Sequence, residues 1–216
     1  MLQIYGRSTS YNVQKVLWLA DELSLDYQHI PAGGEHGDLD TPEFLAMNPG
    51  GRIPVIVDGT TSIWETHAIL RYLAAQYGND HFQRDTPAAQ SLIDRWIDWS
   101  LSELEPAFFS GIFWGYYRTP EMQRDQSAIS KALKRCEQLY QRLDDQLSQQ
   151  PWFSGNTLGL ADIPAGTTLY RYFEMDGIER PDLPSVRRWY QQLQARPAYQ
   201  QQVMRPFGEL KGRLAY

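Results

Sequence analysis

One cysteine, Cys136, is all the thiol this 216-residue chain has. A lone cysteine excludes an internal disulfide, a C-x-x-C redox pair and a thiolate-based zinc site, so thiol chemistry here must use a thiol from outside. Positive charge is also scarce: 20 Lys and Arg stand against 26 Asp and Glu, for a formal net charge of -6. Phosphate backbones are bound by concentrated Lys and Arg, so nucleic acid leaves the list of partners. Long apolar runs are missing as well. Stretches such as Ile53 to Val57 fall far short of the roughly 20 residues that a membrane-crossing helix needs. Met1 to Tyr5 shows neither a basic leader nor a long apolar one, which predicts a cytoplasmic address. There are no internal repeats and no low-complexity tract.

What is present is ample material for a core, with 42% hydrophobic and 13% aromatic residues. Leu2 to Tyr5 reads as a strand, and Val13, Val16, Leu17, Ala20 and Leu23 recur at helical spacing after a small polar loop. Asp26 to Ala32 reads as a second strand; Gly33, Gly34 and Gly37 then mark a loop into a short helix at Glu43 to Met47. A hairpin and a helix from Thr66 to Tyr77 complete the order βαβαββα, a small sheet with helices against it. Asn79 to Pro87 is polar and predicts a linker between domains at 1–78 and 87–216. Beyond it only helical patterns remain. Ala88 to about Phe109 sets Leu92, Trp96, Trp99 and Leu104 on repeating turns, and Ile129, Leu133, Cys136, Tyr140, Leu143 and Leu147 form another stripe. Cys136 lies on that stripe, which marks it as a structural residue. Further helices are predicted from Gly159, with Asp162 able to reach back to the Gly159 N-H, and from Leu183 to Met204.

The stretch from Arg52 to Thr66, R-I-P-V-I-V-D-G-T-T-S-I-W-E-T, is suited to holding a small peptide. Pro54 has no N-H for a sheet ladder, so it is expected to start an edge strand and leave the Ile53 main chain for an extended ligand. Val55 to Val57, a turn at Asp58-Gly59 and a return strand at Thr61 to Trp64 deliver Glu65 and Thr66 beside Pro54. Glu65 can take an ammonium. The Thr66 N-H, at a helix N-terminus, favours a carboxylate.

In this order, N-P-G-G-R-I-P (Asn48 to Pro54), W-E-T-H-A-I-L-R-Y-L (Trp64 to Leu73), G-L-A-D-I (Gly159 to Ile163) and R-S-T-S-Y-N-V-Q-K-V-L-W (Arg7 to Trp18) resemble the cytosolic glutathione transferases over nearly the whole chain. The resemblance implies an α+β thioredoxin-like N-terminal domain that binds glutathione as co-substrate, followed by an all-α C-terminal helical bundle. It implies a cis Pro54, an Ile53 main chain paired with the cysteinyl unit, Glu65 and Thr66 on the γ-glutamyl end, and Arg52 on the glycyl carboxylate. It also implies a homodimer, with no metal, nucleic acid or membrane among its partners.

A thiol with pKa near 8.5 is mostly protonated at neutral pH, so such an enzyme must favour the anion. A hydroxyl donor beside the positive N-terminus of the first helix does this. Ser8, Thr9 and Ser10 supply candidates. Alignment with serine-type and nu-like bacterial members points to Ser10 as the catalytic hydroxyl, with Asn12 as a second donor and Thr9 among the glutathione contacts. Ser8, Thr9 and, less favoured, Tyr5 and Tyr11 stay open as alternatives. Glycine at 159, where relatives carry Ser or Thr, weakens a helix cap and leaves the site untouched. Aromatic residues crowd 108 to 117. Phe109, Phe113, Trp114 and Tyr117 are the candidates for a pocket that takes a small aromatic or apolar electrophile, with Arg118 nearby. At least half of the rings in this segment are expected to pack the domain core instead. His67 is expected to be structural or near the dimer interface. The leading reading is conjugation of glutathione to an electrophile. The alternatives are reduction of a disulfide or peroxide at the same site, or a non-catalytic binding module on the transferase fold.

Overall fold

A computed structural model describes residues 1–214; Ala215 and Tyr216, the end of the expected 87–216 domain, lie outside the described residues. The chain divides into two compact units, Met1–Gln83 with Pro197–Arg205, and Arg84–Arg196 with the chain from Pro206 onward. The stretch expected as one helical block from 87 is therefore interrupted by a segment that packs with the first unit.

The first unit runs β1 (Leu2–Tyr5), α1 (Tyr11–Glu22), β2 (Tyr27–Ile30), α2 (Pro42–Met47), β3 (Val55–Asp58), β4 (Thr61–Trp64) and α3 (Thr66–Tyr77), with one 3-10 turn at Gly34–His36. Its mixed sheet has the order β2-β1-β3-β4, with β1 parallel to β2 and the other neighbours antiparallel. Helix α1 drives the core: Val13, Val16, Leu17 and Ala20 are all but fully buried. Thr41 caps α2 by accepting the Phe44 N-H at 3.2 Å, with Pro42 at the first helical position, where a missing N-H costs nothing.

Two local expectations change. Strand β3 is an inner strand, and Pro54 sits one residue ahead of it rather than opening an edge strand. Outside the ladder its missing N-H costs no sheet bond, so the proline rule is met in a different way. The hairpin turn is Gly59-Thr60, because Asp58 still pairs with Thr61. Gly59 has φ of 59°, as the first position of a type II′ turn requires. Asp58 is kept in the strand by two phenols of α3: Tyr77 and Tyr72 donate to its carboxylate and hold it below the ordinary carboxylate range.

The expected helix from Leu183 to Met204 is two helices, α7 (Pro184–Gln194) and α8 (Pro197–Gln202). Pro197 cannot donate to the helical ladder and restricts Arg196 before it, so the chain turns there. Helix α8 belongs to the first unit. Its Tyr199 ring meets Trp18 edge-on at 4.9 Å, and Gln202 Nε2 donates to Asp21 Oδ2 at 2.7 Å.

The described part of the second unit is helical, apart from one isolated bridge between Trp152 and Gly155. Helix α4 (Pro87–Trp99) does not stop near Phe109; it continues with wider, π-type turns over Ser100–Leu104 and Pro106–Arg118. Pro106 offers no N-H to a regular ladder at this point. The inward face of α4 is Ile93 and Ile97, continued by Ser100 and Leu104, whereas Leu92 is 52% exposed. Helix α5 (Gln126–Gln149) closes on the wide helix at Gly111, where an added Cβ would lie 2.5 Å from the Ala132 Cβ. Cys136 faces inward from α5 at 3% exposure, and burial pushes its thiol up to about 12.

Helix α6 (Asp162–Glu174) begins on a buried carboxylate. Asp162 accepts the Gly159 N-H at 3.1 Å, as the sequence suggests, and also the N-H groups of Phe153 at 2.8 Å and Ser154 at 3.2 Å. Ser154 Oγ accepts the Ala161 N-H at 3.2 Å, a capping duty that glycine at 159 cannot perform. Burial pushes the Asp162 carboxyl up to about 6 against the pull of its N-H donors. The folded chain therefore binds more protons than the unfolded one between about pH 4 and pH 6. The residue's contribution to stability falls as pH rises through that window and is flat above it.

Asp162→Ala strands several buried N-H groups at about 1–3 kcal/mol each, so urea unfolding at neutral pH should show a loss of about 3 kcal/mol or more. Asp162→Asn should remove the fall in stability between about pH 4 and pH 6 that urea titrations of the parent protein show. Ellman's reagent at pH 8 should leave Cys136 unmodified in the folded protein and titrate one thiol after denaturation; rapid reaction without denaturant would contradict the buried position.

Candidate functional site

Val55 is paired with Tyr5 on one side and Trp64 on the other, and Tyr5 is also paired with Ile30. The ends of β1, β2 and β4 and the start of β3 thus share one end of the sheet. From that end leave the loop Gly6 to Ser10, the Ile53-Pro54 peptide and the step Glu65-Thr66. The structure brings together there the residues proposed for thiol activation and for peptide binding.

Ser10 stands at the N-cap of α1 in an extended conformation (φ -74°, ψ 124°), its N-H bonded to Arg7 O at 3.0 Å. Its hydroxyl makes no cap bond, although serine at this position usually caps its helix. A half-buried hydroxyl beside the positive end of a 12-residue helix can donate to an anion. Thr9 is exposed and Ser8 half-buried. Tyr5 is directed elsewhere: its hydroxyl meets Gln3 Oε1 at 3.2 Å and its ring packs edge-on to Phe44. Asn12, half-buried in the first turn of α1, accepts a hydrogen bond from Lys15 Nζ at 3.1 Å. Tyr11 is buried with the Lys15 ammonium 4.2 Å from its ring centroid.

The Ile53-Pro54 peptide is cis, as the family resemblance implies. Ile53 is half-buried and Pro54 buried, while the Arg52 side chain is exposed. Sequence reasoning missed what holds this segment. Buried Asn48 donates through Nδ2 to Arg52 O at 2.8 Å and accepts the Gly50 N-H at 2.9 Å, which fixes the Pro49-Gly50-Gly51 turn from inside. Glycine and proline announce a turn there; the asparagine's burial is what the sequence does not disclose.

Glu65 is the most constrained residue of the site. It has φ of 68° and ψ of 115°, a region that favours glycine, and its exposed side chain makes no cap bond to α3. Non-glycine residues held there cost of order 1–3 kcal/mol and cluster at ligand clamps. Thr66 follows as the first residue of α3, buried, with the helix N-terminus behind it. His67 is buried with Nε2 3.5 Å from Lys15 Nζ. That lysine is fully buried, and nothing in its residue type marks it as inward, because lysine is almost never fully buried unless paired. His36 lies on the 3-10 turn and pairs with Glu35 at 3.7 Å.

The four aromatic candidates divide. Phe113 and Tyr117 are buried, stacked at 5.8 Å, with Phe207 against both. The Arg171 guanidinium lies 4.7 Å from the Phe113 ring. They are packing residues in the second unit rather than open walls, because that ring cluster closes over them. Phe109 and Trp114 stay half-exposed. Arg118 is fully buried, its Nε donating to Arg213 O at 2.8 Å and its guanidinium 3.9 Å from the Trp114 ring. A cavity of about 660 Å³ in this unit is lined by Cys136, Tyr172 and Arg180 and by none of the four candidates.

Residues 9–76 match the model of the glutathione S-transferase N-terminal domain, and residues 106–197 that of the glutathione S-transferase C-terminal domain. Glutathione S-transferase GstB of Escherichia coli (strain K12) is 42% identical over 208 residues, covering 95% of this chain and 99% of its own. Disulfide-bond oxidoreductase YfcG of the same strain is 27% identical over 215 residues, covering 95% of each chain. Among solved structures, the theta class glutathione S-transferase of Xanthomonas axonopodis pv. citri with glutathione bound superposes with a TM-score of 0.88 at 45% identity, covering 95% of this chain and 98% of that one. Identity at this level across 95% of the length, with both domain models matched in order, makes the chain a member of the glutathione S-transferase family.

Proposed function

We propose that this chain conjugates glutathione, as thiolate, to a small aromatic or apolar electrophile. The observation that carries the reading is Glu65, a glutamate held at φ 68° with its carboxylate exposed at the sheet end that also releases Ser10 and Ile53. Strain at that position is hard to account for by packing alone and suits a clamp for an ammonium. In this reading the γ-glutamyl unit has its ammonium on Glu65 and its carboxylate on the Thr66 N-H. The Ile53 main chain pairs with the cysteinyl unit, and Arg52 takes the glycyl carboxylate, with Thr9 at the edge. Ser10 and Asn12 donate to the sulfur, which lowers the thiol pKa without either group becoming a base. The thiolate then forms a sulfur-carbon bond as the leaving group departs with its electron pair. Of the four aromatic candidates, Phe109 and Trp114 are the two that are not buried, and in this reading they are the contacts for the electrophile.

A second reading, reduction of a small disulfide at the same site, is favoured by the likeness to the disulfide-bond oxidoreductase YfcG. Both readings include the homodimer that the family resemblance implies.

Assays with glutathione and a chlorinated aromatic, a small disulfide and an organic peroxide separate these readings; activity on the chlorinated aromatic is expected, and no turnover of any of the three overturns both. Ser10→Ala should lower kcat by about 10- to 100-fold, the value of a hydrogen bond to a charged group, with glutathione binding nearly unchanged. An unchanged kcat would move the hydroxyl role to Ser8 or Thr9. Light scattering should give twice the 25.0 kDa chain mass, and a monomer at micromolar concentration would remove the dimer from the reading.

A further inference from the structure

A fully buried lysine beside the thiol-activating residues calls for its own account. Lys15 has 0% exposure, and burial of an ammonium is costly unless acceptors replace its water. Its Nζ lies 3.1 Å from Asn12 Oδ1, 3.5 Å from His67 Nε2 and 4.2 Å from the centroid of the Tyr11 ring. These contacts tie the first turn of α1 to the first turn of α3, the two helix starts that carry Ser10 and Thr66.

The chemistry of the three groups fixes their orientation. An ammonium only donates, so the Asn12 carboxamide must present its oxygen to Lys15, and the His67 ring can act as a second acceptor in the tautomer that leaves Nε2 without a proton. With its oxygen engaged, the carboxamide's NH2 is the end left to donate elsewhere. Asparagine alone has no such preference, since its two ends are nearly equal in size and either can face a ligand. An anion such as a thiolate needs the NH2 end. The spacing makes the constraint local, because residues three apart share a helix face.

We propose that Lys15 is a positioning residue that locks the Asn12 carboxamide with its NH2 end available to the sulfur of bound glutathione, with His67 as a further neighbour of the ammonium. Lys15 touches no substrate in this arrangement and acts through Asn12. The inference rests on the glutathione-binding reading above and adds to it the device that sets the polarity of one donor.

The test uses full-length protein with glutathione itself as probe. Lys15→Met keeps the length and apolar stem of the side chain while removing the donor. Thiolate absorbance of the bound glutathione, followed against pH, should show its pKa raised in Lys15→Met, with kcat reduced about tenfold and KM for glutathione changed less than threefold, as for an interaction confined to thiolate activation. Asn12→Ala should show a similar loss, and the double variant should be no slower than Asn12→Ala alone, because one substitution removes what the other acts through. Additive losses would overturn the assignment, as would a thiol pKa in Lys15→Met equal to that of the parent. If Lys15→Met does not fold, Lys15→Gln, which retains an N-H donor for Asn12, should keep kcat within about threefold of the parent. A Lys15→Gln as slow as Asn12→Ala overturns the proposal. Failure of the unmodified protein to bind glutathione in a calorimeter overturns the binding reading and this inference together, whereas binding with an unshifted Lys15→Met overturns only the role of Lys15.

Discussion

The position of Val55 in the sheet, paired with Tyr5 and with Trp64 at once, is the constraint on which the first unit depends. One residue aligns the end of β1, the start of β3 and the end of β4, so three loops far apart in sequence leave the sheet at one end. Side chains alternate faces along a strand, so the neighbours Val55 and Ile56 point to opposite faces of the sheet. Both are fully buried, so the first unit covers β3 on both faces. The site is a consequence of that core pairing. Ser10, Ile53 and Glu65 lie on segments that meet at one end of the sheet because β1, β3 and β4 pair in this register.

Loops released in this way still have to be held in shape, and buried polar side chains hold them. Asn48 closes the turn before Arg52 with two backbone bonds from a position 4% exposed. Asp162 gathers three N-H groups in the second unit, and Asp144 of α5 accepts the Val186 N-H at 2.8 Å, satisfying one of the donors at the start of α7. In each case a side chain supplies an acceptor where helix or turn geometry leaves backbone donors without one. At Lys15 the roles are reversed: the buried ammonium donates, and Asn12 Oδ1 supplies an acceptor.

Which of these features can be read from sequence follows from what each depends on. Strands β1, β3 and β4 and helices α1, α3 and α5 depend on apolar period and on glycine and proline at their ends, all visible in the chain. Glu65-Thr66 at the start of α3 was legible for the same reason. The hairpin turn was displaced by one residue because Gly59 fits either turn, and the choice is made by Tyr72 and Tyr77 binding Asp58 from a helix that comes later. The break at Pro197 was written in the sequence, but the apolar period runs through it from Val186 to Val203 and masks it. Lys15 and Asn48 were illegible for another reason. Their residue types belong on surfaces, and only tertiary packing puts them inside.

The aromatic segment of the second unit shows how a composition signal can mislead about a site. Rings at 108, 109, 113, 114, 116 and 117 invite a ligand pocket, yet on a helix such a run covers every face, and the inward faces go to the core. Phe108 meets Tyr140 and Tyr172 edge-on at 6.5 and 6.2 Å, and Phe113 and Tyr117 close on Phe207. Arg171, 4% exposed, places its guanidinium within 6.0 Å of three of these rings, where the ring faces take the place of water around the charge. Arg118 is absorbed likewise by Trp114 and the Arg213 carbonyl. The guanidinium groups of Arg171 and Arg118 are thus committed to the fold.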